Sequence, residues 1–351
     1  MWAMVVKEFR QVRRDRRTLA MMILMPVLLL VIFGYAASFD VANVKVALMG
    51  PGAEALRDRV PDRLEVTTVD PAGDRDAAVD LLKRGRVVAV IVATTDSQSV
   101  LVDGSELFQA RAVVQTVTAA RQEMPGLTLE VLFNPTLDTS AVLVPGLGGL
   151  ILLFVGTVIT SLGVVRERQA GTLEQLAVMP LRPRDVFVGK VAPYFLVAAA
   201  DLTVVLVVGT VLFDVPFNGS VLTLALGSVL FLFVTLGVGV VISSVSENQG
   251  QAIQLALMTL LPQVLLSGII FPLSSMGPGV RWIGYLLPLT YFNQVARGVM
   301  VRGAPIDSLL VPLGLLALLG AIAFTLAVAR FRRFLTVGGG GRGAAADGTP
   351  A

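Results

Sequence analysis

Six apolar runs, at 19–38, 141–164, 191–213, 220–243, 251–272 and 308–329, constrain the fold of this 351-residue chain more than any other feature. A helix rises about 1.5 Å per residue, so about 20 apolar residues match a hydrocarbon layer roughly 30 Å thick. In lipid every backbone N–H and C=O must be paired internally, which leaves the helix as the spanning form for runs of this length. The runs therefore predict an α-helical polytopic membrane protein with six transmembrane helices. Composition agrees: 15% of residues are charged, against about 25% in an ordinary globular chain.

Charge placement orients the spans. Residues 1–17 hold Lys7, Arg10, Arg13, Arg14, Arg16 and Arg17 against two acids, and Arg330, Arg332 and Arg333 follow the last run. By the positive-inside rule both ends are cytoplasmic. Segments 165–190 and 244–250 then face the cytoplasm, and 214–219 and 272–307 face out. The first run is longer than the roughly 7–15 residues of a signal-peptide core and is read as a retained span. Within residues 1–18, Trp2, Val5, Phe9 and Val12 recur at spacings of three, four and three, with Lys7, Arg10, Arg13 and Arg14 between them. This predicts an interfacial amphipathic helix, either a lipid-bound topology anchor or a surface for a cytoplasmic partner.

Residues 39–140 have a soluble composition, with ten basic and fifteen acidic side chains. Strand-like runs at 44–49, 64–69, 86–93, 99–102 and 128–133 alternate with helix-like runs at 53–60, 74–83 and 105–123. The β-α-β-α-β-β-α-β order predicts an inserted extracytoplasmic α/β domain with a mixed sheet. Asp103-Gly104-Ser105 reads as a turn with Ser105 as the N-cap of the following helix. The Gly/Ala-rich residues 336–351 are expected to be a disordered tail.

The chain contains no Cys and no His, which excludes thiolate chemistry, imidazole metal sites and nucleophile–imidazole pairs. No catalytic, cofactor or metal site is expected. A GxxxxGK[ST] phosphate loop is also missing from the sequence, so any ATP-driven process would need a separate polypeptide. The net charge of +3 is concentrated beside the spans and does not point to nucleic acid.

Four local features bear on function. In 166–180, Thr172 and Gln175 match a capping box, Gly171 permits a turn, and Leu173, Leu176 and Ala177 form a short apolar stripe that Pro180 and Pro183 end. This segment is either a docking helix or a solvated loop whose Arg166, Arg168, Arg182, Arg184 and Lys190 set topology. Asp201 lies near the middle of the third run, where a carboxylate costs about 2.5–3.5 kcal/mol on insertion scales. It is a relay or substrate-path carboxylate, or a hydrogen-bonding link to a neighbouring helix. Gln251, Gln254 and Gln263 make the fifth run partly polar, and Pro262 predicts a kink there. Segment 273–307 is too apolar for a loop and too broken by Gly277, Pro278, Gly279 and Pro288 for one span. It predicts a re-entrant or interfacial hairpin with Trp282, Tyr285 and Tyr291 at headgroup level.

Together these pieces resemble the ABC-2 family of ABC-transporter permeases over roughly residues 1–335. The stretches that carry the resemblance are "VVKEFRQVRRDRRTLAMMILMPVLLLVIFGYA", "LFNPTLDTSAVLVPGLGGLIL", "RERQAGTLEQLAVMPLRPRDVFVGKVAPY" and "GIIFPLSSMGPGVRWIGYLLPLTYFNQVARGVMVRG". The resemblance implies that 166–180 is the coupling helix docking on an ATPase, with Arg166, Glu167, Arg168, Gly171, Thr172, Leu173 and Glu174 at motif positions. It implies that residues 1–18 are an interface helix against the same partner. Asn134-Pro135 and Pro145-Gly146 match the approach to the second span, and Pro272, Met276, Pro288, Tyr291 and Arg297 match the outer hairpin. Gly277, between Met276 and Pro278, departs from the usual Met-Pro.

The implied role is a permease subunit, in the bacterial cytoplasmic membrane, of an exporter for hydrophobic or amphipathic substrates. ATP and Mg would be bound by two copies of a cytoplasmic ATPase. A second permease copy or a paralogue, membrane lipids and a periplasmic adaptor complete the expected partners. The rival readings are an ion-driven secondary carrier, which should hold more intramembrane charges than Asp201, and a membrane-anchored sensor, which should carry an output module.

Overall fold

The computed structural model describes residues 44–61, 63–94, 97–121, 127–171 and 183–339, with single positions scattered between 2 and 34. Trp2, Met4, Val6 and Lys7 are helical, as are Ala20, Ile23, Leu24, Val27 and Leu30 of the first expected span. Phe9, Arg10, Arg13 and Arg14 lie outside the described residues.

Residues 44–132 form a five-stranded mixed sheet flanked by helices. The elements are β1 (Val44–Met49), α1 (Ala53–Leu56), β2 (Leu64–Asp70), α2 (Arg75–Lys83), β3 (Ala89–Ala93), β4 (Gln98–Asp103), α3 (Leu107–Ala120) and β5 (Leu127–Leu132). The sheet order is β2-β1-β3-β4-β5, with β3 and β4 antiparallel and the other neighbours parallel. Alternation along β1 explains the layers. Val44 and Val46 pack with Val100 and Val102 under Ala110, Val113 and Val117 of α3, while Ala47 and Met49 pack under Ala78 and Leu82 of α2. Asp74 caps α2, its Oδ1 accepting from the Ala77 N–H at 2.9 Å.

The expected cap at Ser105 is corrected. The Ser105 N–H donates to Asp103 Oδ1 at 2.9 Å, and Glu106 occupies the N-cap position. Asp103 thus completes a tight turn of its own, and α3 starts two residues later than expected.

From Thr139 onward the described residues are mainly helical. Helix α4 (Thr139–Phe154) runs through a π-helical turn at Val155–Ile159 into α5 (Thr160–Gln169). It is followed by α6 (Pro183–Leu212), α7 (Val221–Val245) and α8 (Gln249–Leu266). Then come α9 (Pro278–Leu286), α10 (Pro288–Arg297) with a π-helical turn at Gly298–Arg302, and α11 (Leu310–Gly339). Phe231 of α7 stacks on Phe292 of α10 with ring centroids 4.7 Å apart, at the centre of a core that includes Leu152, Leu232 and Leu289.

Among the described residues four helical segments are long and apolar enough to cross a membrane: Thr139–Glu167, Ala192–Leu212, Val221–Val245 and Ile306–Arg330. The fifth expected span, 251–272, is shorter than predicted: α8 ends at Leu266, and Gly268 at φ +86° turns the chain away. Helix α6 begins at Pro183, eight residues before the expected third span, because proline fits the first turn of a helix. At the other end, 336–339 belong to α11 and not to a tail; 340–351 lie outside the described residues.

Candidate functional site

At one end of the helical bundle the two segments expected to face the cytoplasm meet. Arg166 Nε donates to Gln249 Oε1 at 3.2 Å, and Gln249 Nε2 donates to Gln169 Oε1 at 3.0 Å. Helix α8 is capped here: the Gln251 N–H donates to Asn248 Oδ1 at 2.9 Å, and Gln251 Oε1 accepts from the Glu247 N–H at 3.0 Å. This is a capping box in variant form, and Asn248-x-x-Gln251 is legible in sequence.

One expectation changes at this end. Arg166, Glu167 and Arg168 belong to the last turns of α5 and not to a separate helix over 166–180; α5 stops at Gln169 and Gly171 adopts φ +73°. Among the described residues no atom lies within 4 Å of where a Gly171 Cβ would sit, and its positive φ is the conformation that favours glycine. Glu167 is half-buried. Thr172, Leu173 and Glu174 lie outside the described residues.

At the opposite end the three segments expected to face out converge. Arg302 Nη1 lies 3.4 Å from Asp103 Oδ2 and 3.7 Å from Glu106 Oε1, and Arg297 Nη1 lies 3.3 Å from Glu106 Oε2. Asp103 is wholly buried, and Arg297 and Arg302 are each 9% exposed. Two guanidinium groups thus face two carboxylates with little water between them. Burial pushes the Asp103 carboxyl above its ordinary range, Arg302 pulls it back down, and Glu106 adds to the rise. Around this cluster, Arg84 pairs with both Asp80 and Asp307, and Gln109 Nε2 donates to Ser274 Oγ at 3.1 Å. The turn between α6 and α7 arrives at the same place: Asn218 Nδ2 donates to the Val301 carbonyl at 2.8 Å.

The hairpin residues fall into two groups. Trp282 and Tyr285 of α9 are exposed, whereas Tyr291 is buried, its hydroxyl donating to the Tyr285 carbonyl. A neighbouring backbone carbonyl thus satisfies the Tyr291 hydroxyl inside the fold. Pro272 precedes a 3-10 turn at Leu273–Ser275, Met276 is buried, and Pro288 opens α10. Gly277, the departure from Met-Pro, sits at the N-cap of α9 with open space around it.

Asp201 lies half-buried on α6, and among the described residues it makes no hydrogen bond. The buried carbonyl oxygens of Gln254 and Gln263 are likewise unpaired, although Gln263 Nε2 reaches the Thr259 carbonyl at 3.4 Å. One close crossing is between α7 and the π-helical turn. A Cβ at Gly239 would stand 2.7 Å from the Gly156 carbonyl oxygen and 2.9 Å from that of Thr157. Such π-turns inside α-helices recur at functional positions.

Sequence reading missed Asp103, Glu106 and Arg302 as partners. Nothing periodic links residues about 199 positions apart, although Arg302 at the edge of an apolar segment was a visible signal.

Comparison with known proteins places these features in one family. The family model described as ABC-2 family transporter protein matches residues 16–329. The probable multidrug ABC transporter permease YbhS of Escherichia coli is 30% identical over 332 residues, covering 86% of this chain and 88% of that protein. YbhR, from the same organism and described in the same words, is 27% identical over 95% of this chain and 98% of its own length. ABC transporter G family member 20 of Dictyostelium discoideum is 29% identical over 56% of this chain but only 27% of its own length. The chain therefore belongs to the ABC-2 family of transporter proteins.

Proposed function

We propose that this chain is the permease subunit of an ATP-driven exporter for a hydrophobic or amphipathic substrate, energised by a separate ATPase. The observation that carries the reading is a family match running through both ends of the bundle, joined by near full-length similarity to proteins named as multidrug permeases. The sorting of polar segments supports the orientation. The loop ends at 166–171 and 247–251 meet at one end, and the sheet domain, the 214–219 turn and the 273–307 hairpin meet at the other.

In this reading the chain crosses the bacterial cytoplasmic membrane six times, with residues 19–38 and α8 completing the set and both termini inside. Residues 39–140 form the extracytoplasmic domain. Two permease subunits and two ATPase subunits make the transporter. Segment 172–180 docks on the ATPase, and Arg166 and Gln169 carry its displacement into α5 and, through Gln249, into α8. ATP binding by the partner would then shift the two membrane halves between states of different substrate affinity, the condition for pumping.

Reversal of charge at Glu174 tests the docking assignment. In a complex reconstituted with its ATPase, Glu174→Lys should reduce substrate-stimulated ATP hydrolysis while leaving the assembled permease at wild-type yield. Undiminished stimulation would remove segment 172–180 from the ATPase contact.

A further inference from the structure

Among the described residues, two joints of different chemistry tie the sheet domain to the helical bundle most closely, beside the Arg84–Asp307 pair and the Gln109–Ser274 bond. The first is the connection to α4. Asn134 Nδ2 donates to the Gly104 carbonyl at 3.2 Å and the Asp138 carbonyl at 3.0 Å, while its Oδ1 accepts from the Asp138 N–H at 2.9 Å. Phe133 and Leu137 on either side both hold positive φ, at 65° and 52°, a conformation that side chains other than glycine rarely adopt. A connection this closely specified cannot serve as a swivel without losing those bonds. The second joint is the charge cluster at the end of α10, where Arg297 and Arg302 meet Glu106 and Asp103.

A buried charge cluster is a poor source of stability, because desolvation offsets most of the attraction, but a good source of orientation. Misplacing the domain would leave Asp103 buried without a counter-charge, so one docking angle is strongly preferred over its neighbours. Close backbone packing reinforces that angle. A Cβ at Gly85, which holds φ +64°, would stand 2.8 Å from Arg302 Nη1, and a Cβ at Gly104 would stand 2.6 Å from the Asn134 carbonyl oxygen. Arg302 is itself held from behind, since the π-helical turn that carries it accepts hydrogen bonds from Asn218 at the Met300 and Val301 carbonyls.

We propose that Arg302 and Arg297 are positioning residues that lock the sheet domain in one orientation on the outer hairpin. The domain, the start of α4 and the hairpin then move as a single body. In the exporter reading, on which this last consequence rests, the domain is a fixed extension of the outer gate and not an independently moving lid.

Distance measurement on the full chain tests this directly, because the sequence has no cysteine and spin labels attach only where cysteines are introduced. Ala77→Cys on α2 and Leu286→Cys on α9 are both exposed positions. In lipid nanodiscs, without any ATPase, double electron–electron resonance should give one narrow distance distribution. Arg302→Gln should at least double its width, and adding Asp103→Asn, which removes the stranded charge, should restore most of the narrowing. A broad distribution in the parent protein, or an Arg302→Gln distribution as narrow as the parent's, overturns the lock. Should Arg302→Gln fail to fold, Arg297→Gln, which spares the buried Asp103 contact, must broaden the distribution instead. With the ATPase added and trapped in its ATP-bound state, the distance should stay unchanged; a shift there would overturn only single-body motion within the exporter reading.

Discussion

Gly239→Ala adds one methyl group at the point where α7 crosses the π-helical turn of the α4–α5 helix. The new Cβ would stand 2.7 Å from the Gly156 carbonyl oxygen, 2.9 Å from the Thr157 carbonyl oxygen and 3.0 Å from Thr160 Cβ. Two of these three neighbours are backbone atoms of the opposing helix, so no rotamer change relieves the overlap and the helices must separate. Overpacking of a close-packed site costs about 1–3 kcal/mol. Replacing glycine by alanine inside a helix returns about 0.5–1 kcal/mol of backbone entropy. A net loss of up to about 2.5 kcal/mol follows, a fall of up to roughly seventyfold in the folded-to-unfolded ratio. Gly314→Ala in α11 is the control, because among the described residues no atom lies within 4 Å of its Cβ position and only the gain should appear. Unfolding by sodium dodecyl sulfate in mixed micelles, followed by circular dichroism, reads both. Equal stability of the two variants would refute the close crossing.

Further outcomes follow from the same contacts. At Gly156 a Cβ would overlap Thr235 Oγ1, so Gly156→Ala should destabilise, and Thr235→Ala should recover part of the loss, a non-additivity above about 0.5 kcal/mol in a double-mutant cycle. Asp74→Ala removes the cap of α2 and should lower stability by about 0.5–2 kcal/mol, visible as earlier proteolysis of the sheet domain. Asp103 sets a pH dependence. Its folded pKa lies above the ordinary 3.8, so the folded state holds the proton longer; this contribution is full below that value and is lost as pH rises through the raised one. Asp103→Asn should therefore flatten the decline of thermal stability as pH rises above 3.8, and an unaltered slope would remove Asp103 as its source.

The sheet domain was largely legible because its strands alternate between two buried faces: Val44 and Val46 against α3, Ala47 and Met49 against α2. Helix boundaries were less so. Ser105 has the residue type of a cap, yet Asp103 two positions earlier takes its N–H, and local competition of that kind leaves no periodic trace. The fifth run reads as one span by hydropathy through residue 272, but Gly268 at φ +86° ends the helical path, which composition alone does not encode. Tyr291 carries the amphipathic signature of an interfacial residue, and only the nearby Tyr285 carbonyl makes burial affordable. No local sequence rule exposes the π-helical turns at Val155–Ile159 and Gly298–Arg302. The charge cluster was half visible. Arg297 stood out by family resemblance, whereas its pairing with Glu106 joins residues 191 positions apart.

Transport by purified protein in sealed vesicles tests the central claim most directly. The permease is reconstituted with and without its ATPase, and outward movement of an amphipathic fluorescent dye is followed on adding ATP and Mg, or on imposing a proton gradient alone. The account predicts dye movement only when ATPase, ATP and Mg are all present, with no response to the gradient. Gradient-driven movement in vesicles lacking the ATPase, abolished by Asp201→Asn, would contradict it and identify an ion-coupled carrier instead.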